Sequence, residues 1–191
     1  GFLGGMSVPA VTRFGYGYVQ GVDEAAKELG ITSDVELEYV CGGQFYGDAD
    51  ITAYMDTWYG SKGVEVVFAC GGGIYTSAAE AAAKVDCKVI GVDSDQSPLA
   101  PETILTSALK RVDNACYDAT KKTILGTLEG GVETYDLAAG GVDIAPTTDN
   151  LSKDVLEKIE DAKKDIIAGD LVVPKNQEEF EEKYGDVYEL D

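Results

Sequence analysis

Three consecutive glycines, Gly71-Gly72-Gly73, come one residue after the nearly all-apolar run Val64 to Ala69. Backbone without side chains lets a ligand come close, and a helix starting there offers unpaired N–H groups to oxygen atoms. The run does not fit G-x-G-x-x-G, and no G-K-[ST] follows. A nucleotide-phosphate cradle is therefore weakly supported beside a plain strand-to-helix turn. Phe45 and Tyr46 stand between Gly43 and Gly47, where an aromatic either stacks on a flat ligand or folds back onto the core. Asp93 and Asp95 flank Ser94 and point to one side if the chain is extended. Such a pair can grip vicinal hydroxyls, contribute to a magnesium or calcium site or cap a turn; without a third carboxylate nearby the metal signal is weak. Lys110, beside Arg111, has three outlets: a ligand oxygen, Asp93, or solvent. These are groups for recognition; none is an obvious reacting group.

Composition narrows the field. The 191 residues carry 35 acidic and 15 basic side chains, a formal charge of -20, which repels phosphate and argues against nucleic acid or an anionic membrane surface as partner. Histidine is absent, so no Ser–His or Cys–His pair exists. Cys41, Cys70, Cys87 and Cys116 form no C-x-x-C pair, which argues against a zinc or thioredoxin-like site. They read as small apolar residues, with a disulfide between two of them left open. No cofactor or metal is expected. No run is long and apolar enough to span a bilayer, and no signal peptide is visible. The opening GFLGGM already reads as a core strand, which implies a segment upstream of Gly1.

The elements that must position these groups alternate. Strands are expected at Phe2 to Met6, Val35 to Val40, Val64 to Ala69, Lys88 to Val92 and Ile104 to Leu109, with short ones at Val132 to Leu137, Val142 to Ala145 and Leu171 to Val173. Helical spacing marks Val11 to Leu29, with Phe14, Tyr18, Val22, Ala25, Ala26 and Leu29 as its stripe, then Ile51 to Tyr59, Thr76 to Lys84, Val112 to Leu128 and Lys153 to Ala168. Gly30, Gly130-Gly131 and Gly169 are placed as helix ends. Asp48 or Asp50, and later Asp149, Asn150 or Ser152, are the candidate N-caps. The acidic end EEFEEKYGDVYELD reads as a solvated surface. Strands alternating with helices imply an α/β fold with a mostly parallel sheet flanked by helices. Ligand binding then belongs at the carboxyl ends of the strands, where Gly4-Gly5-Met6, Cys41 to Tyr46, Gly71 to Gly73 and Asp93 to Asp95 converge.

The stretches GFLGGM…RFGYGYVQGV, VVFACGGG and VIGVDSDQSPLAPETILTSALKRVD resemble the basic membrane protein family, extracytoplasmic lipoproteins that serve as substrate-binding components of ABC importers. Helix Lys153 to Ala168 followed by GDLVVP is similar to the family's closing segment. The resemblance implies a type I periplasmic-binding-protein-like fold with one complete lobe and part of the second. Residues 1–109 would be the second ligand-binding lobe. Residues 110–133 would be a helix of the truncated first lobe, and 134–191 crossing strands and a closing helix returning to the second. It further implies a nucleoside ligand, a purine by preference, an ABC permease as partner, and a lipid anchor on the missing part. By motif, Phe45 would stack on the base, Gly71 with Gly72 would offer backbone contacts, Asp93 would take ribose hydroxyls and Lys110 would donate. Tyr46 competes with Phe45 for the stacking role, and Asp95 stays beside Asp93 as a second carboxylate. Helix Val112 to Leu128, deprived of its lobe, should expose its apolar stripe. The alternatives are a ligand-sensing module of a transcriptional or signalling regulator and a nucleoside-processing enzyme.

Overall fold

The computed structural model describes residues 1–185. Six strands form one sheet: β1 (Phe2–Gly4), β2 (Tyr39–Cys41), β3 (Val66–Cys70), β4 (Lys88–Asp93), β5 (Ile104–Lys110) and β6 (Val142–Ile144), in the order β2-β1-β3-β4-β5-β6. All neighbours run parallel except β6, which is antiparallel to β5. The chain steps outward from β1 to β2, then returns past β1 to β3 and continues the other way. The reversal lies between β1 and β3, and crevices for ligands open at such reversals, beyond the strand ends.

Side-chain alternation assigns the faces. Leu3, Val67, Ala69, Val89 and Ile104 pack with Ile51, Met55 and Trp58 of α2 (Ala49–Ser61) and with the alanines of α3 (Tyr75–Ala83). Phe2, Phe68, Cys70 and Val92 face the opposite way, against Val11, Phe14 and Tyr18 of α1 (Pro9–Leu29). Neighbouring residues on one strand thus serve two different cores, as a period of two requires. Pro9 opens α1, where its missing N–H costs nothing, and Gly30 ends it in the left-handed region at φ 70°. The Asp48 carboxylate accepts the Ile51 N–H at 2.9 Å and so caps α2.

Several expectations need correction. Val132 to Leu137 and Leu171 to Val173 are not strands; no sheet edge lies alongside to pair with them among the described residues. β2 is shorter than predicted because β1 has only three residues to pair with it. Helix α4 (Val112–Leu125) stops at Gly126, φ 69°, before reaching Gly130-Gly131. Ser152, not Asp149 or Asn150, caps α5 (Lys153–Ala168). Part of the acidic end folds as α6 (Gln177–Tyr184), which buries Phe180 and Tyr184 against Tyr16 and Val19 of α1. This accounts for the burial of Tyr16 and Val19, which the predicted stripe omitted; of that stripe, Ala26 is buried while Ala25 and Leu29 are exposed. Residues 186–191 of the acidic end lie outside the described residues. No residue of α4 or α5 is buried, and Val112, Ile124, Leu125 and Leu128 present apolar surface to solvent.

Candidate functional site

The carboxyl ends of β1, β2 and β3 are stitched together by backbone. Gly42 N–H donates to the Gly4 carbonyl at 2.8 Å, and Gly43 N–H to Gly5 at 2.9 Å. Gly5 N–H reaches Cys70 at 2.9 Å, and Gly73 N–H reaches the Phe45 carbonyl at 2.8 Å. Gly71 must be glycine, since a Cβ there would stand 2.7 Å from Gly5 Cα. Two chain turns therefore touch directly, leaving a shallow floor. The Phe45 ring lies against Gly5 and is 40% exposed.

Around this floor is a hollow of about 230 Å³. Phe45, Gly71, Gly72, Asp93 and Lys110 line it, joined by Cys70, Val92 and the start of α1 from Val8 to Phe14. Asp93 and Lys110 leave adjacent strands, and their carboxylate and ammonium meet at 2.6 Å with 38% and 47% of each side chain exposed. Of the outlets open to Lys110, the structure takes the pairing with Asp93. The walls are otherwise apolar. The chemistry on offer is a flat aromatic face, free backbone at the glycine turn, and one carboxylate beside one ammonium.

Two predicted residues stand elsewhere. Asp93 adopts φ 69°, a left-handed value that aspartate tolerates. The extended alternation expected to align Asp95 with it is broken there. Asp95 instead accepts the Ser97 N–H at 3.0 Å and the Thr147 hydroxyl at 2.5 Å. Burial pushes its carboxyl up, but these donors outweigh it and hold the group below the usual aspartate range. Asp95 is thus a loop clasp. Tyr46 bridges to Gly73 through its backbone while its side chain, 63% exposed, lies off the hollow. The apolar wall at Val8, Ala10 and Val92 was not singled out, although the loop after the first strand and the end of the fourth already marked it.

Larger hollows lie elsewhere among the described residues. One, of about 360 Å³, lies between α2 and α3 over Asp48, Thr52, Asp56 and Glu80. Its principal polar groups are spent internally: Asp48 caps α2, Thr52 donates to Glu80, and Asp56 pairs with Lys84. Another, of about 500 Å³, lies at the opposite, amino ends of β1 to β3, around Gly1, Glu38 and Lys62. Neither gathers an aromatic face and an ion pair beside open backbone.

All four cysteines are free. Cys41 and Cys70 both align with Gly4, on opposite sides of β1. Two strand spacings of about 4.8 Å each put them beyond the roughly 7 Å that a disulfide spans. Burial, reinforced by Asp93, pushes the Cys70 thiol up to about 12, so the one sulfur lining the hollow stays protonated at neutral pH. Among the described residues no group of three or more cysteines and carboxylates is placed to hold a metal ion.

Known proteins align with this arrangement. The family model described as ABC transporter substrate-binding protein PnrA-like matches residues 1–177. The ABC transporter nucleoside-binding protein BmpA of Lactococcus lactis subsp. cremoris is 34% identical over 91% of this chain and 52% of its own length. Basic membrane protein B of Borreliella afzelii is 32% identical over 95% of this chain and 51% of its own. The chain spans about half the length of these curated relatives. A crystal structure of ABC transporter system solute-binding proteins from Aeropyrum pernix K1 superposes with a TM-score of 0.76 at 25% identity, covering 95% of this chain and 59% of the other. The architecture is that of the periplasmic-binding-protein type, and the chain belongs to the PnrA-like family of ABC transporter substrate-binding proteins.

Proposed function

We propose that the chain forms one wall of the ligand cleft of an extracytoplasmic receptor that passes a nucleoside, a purine by preference, to the permease of an ABC importer. The carrying observation is the meeting of Phe45, Gly71, Asp93 and Lys110 around one hollow at the strand reversal. Phe45 supplies a π-face for the base, worth about 1–3 kcal/mol for each base stacked. Asp93 accepts from ribose hydroxyls, Lys110 donates to a ligand oxygen, and the glycine turn supplies backbone contacts. The ion pair sums to zero within an apolar wall, which suits an uncharged ligand, while the chain's charge of -20 disfavours added phosphates.

The hollow's size fits a half-cleft, since complete small-molecule sites enclose roughly 300–1,000 Å³. In this reading residues 1–109 form the lobe, α4 belongs to the facing lobe, and the chain from residue 134 returns. The unburied apolar stripe of α4 supports that division. A lipid anchor on the facing part would hold the receptor at the outer surface of the cell membrane.

Calorimetry of the full-length protein with guanosine, adenosine and inosine tests the reading, and saturable heat with at least one is expected. No heat with any nucleoside, while a sugar or amino acid binds, overturns the ligand class. A DNA-binding segment encoded ahead of Gly1 would replace import with sensing.

A further inference from the structure

We infer that Gln96 is a positioning residue that sets the spacing between the glycine turn and Asp93; its consequence for ligand rests on the reading of the hollow given above. Pairing between β3 and β4 stops at Phe68 with Ile90. Beyond that rung the ladder stops, and residues past it, Cys70 to Gly72 on one strand and Val92 with Asp93 on the other, line the hollow. The Gln96 side chain, in a residue only 5% exposed, stands in the gap. Its Oε1 accepts the Val92 N–H at 3.3 Å, and its Nε2 faces the Gly72 carbonyl at 3.5 Å. The orientation is fixed by chemistry: a backbone N–H needs the amide oxygen, so the NH₂ must turn to the carbonyl. A side-chain amide thus takes the place of a missing backbone rung.

The tether is itself held. Gln96 N–H donates to Ser107 Oγ of β5 at 3.1 Å, and Ser107 is fully buried. Gly91 keeps the space clear, because a Cβ there would stand 2.4 Å from Gln96 Oε1 and 2.6 Å from Ser107 Oγ. Asp95, one residue earlier, anchors the same loop to Thr147. Gln96 touches none of the hollow's open surface, yet it links the ends of β3, β4 and β5. Removing its amide leaves a donor at Val92 and an acceptor at Gly72 unpaired, and the two strand ends are free to splay.

Two variants of the full-length protein test this. Gln96→Met keeps the side chain's length without its hydrogen bonds, and Gly91→Ala displaces the amide without altering it. Val89→Ala, on the same strand but facing α2 and α3, serves as a control for general destabilisation. Hydrogen exchange without ligand is expected to speed up about tenfold at the Val92 amide in both variants, with β1 protected as in the parent. Guanosine affinity should fall by about tenfold in both, and by less than twofold in the control even where its melting temperature falls as far. Unchanged exchange at Val92 in Gln96→Met overturns the tether. An affinity loss in the control as large as in the variants overturns its positioning role. If the parent protein binds no nucleoside, the ligand reading fails, and exchange at Val92 still decides the tether.

Discussion

Phe45 is held by contacts that leave one side of its ring uncovered. Its carbonyl accepts Gly73 N–H, and its ring rests against Gly5. Replacing it with alanine should weaken nucleoside binding by roughly 5- to 150-fold, the loss of about 1–3 kcal/mol of stacking, with little change in melting temperature; titration calorimetry and a thermal scan of one preparation check both. Gly71, Asp93 and Lys110 could be singled out because each sits where an apolar strand run gives way to glycine or charge; Phe45 and Tyr46 stood out as aromatics in a glycine-flanked loop, and the family resemblance favoured Phe45. Among the alternatives left open for Asp95, the sequence could not single out the turn-capping one the structure shows. Its direction depends on the left-handed backbone of Asp93, a single torsion that spacing does not report. Tyr46 lies off the hollow while Phe45 lines it, a difference of one residue in register that the sequence does not report.

At the level of elements, α6 is the least expected piece. Acidic composition concealed it, although Phe180 and Tyr184 are four residues apart and Asn176 with Glu179 makes a capping pattern, the Asn176 side chain accepting Glu179 N–H at 2.9 Å. Phe180 stacks on Tyr16 at 4.8 Å between ring centres and is 2% exposed. Phe180→Ala should cost about 3–5 kcal/mol, read as a lower midpoint in urea. The segment before α6 also grips α1: the Gln20 amide donates to the Val172 carbonyl at 3.1 Å, and Arg13 Nε to Lys175 at 3.1 Å. Since the first turns of α1 wall the hollow, the Phe180 variant should also weaken ligand binding. The two failed strands, Val132 to Leu137 and Leu171 to Val173, show the limit of alternation: the pattern specifies a face, but a strand exists only where a neighbour supplies hydrogen bonds.

Across the whole molecule, 35 carboxylates work against one another and for the fold at once. Asp48 is held low by the Ile51 N–H and Gln44, and Asp143 by Lys163; Asp95 is held low despite burial. A carboxyl whose folded pKa is depressed contributes stability above the ordinary aspartate value of about 3.9 and loses it as pH falls through the folded value. The Ser97 amide resonance should therefore titrate with a midpoint below about 3.9, together with release of the Thr147 hydroxyl; a midpoint above that value would contradict the clasp. The α/β class and the parallel sheet followed from the strand–helix alternation, whereas the antiparallel β6 did not, since a three-residue strand has too few positions to declare its direction.

The sheet depends on a very small piece of chain. β1 is three residues long, yet β2 lies along one side of it and β3 along the other, and its side chains enter both cores. Trimming the first four residues would strand β2 with nothing to lean on and open the sheet down its middle. It would also strip Gly42 of the Gly4 carbonyl it donates to. So short a deletion would do the damage of one through the core of the sheet.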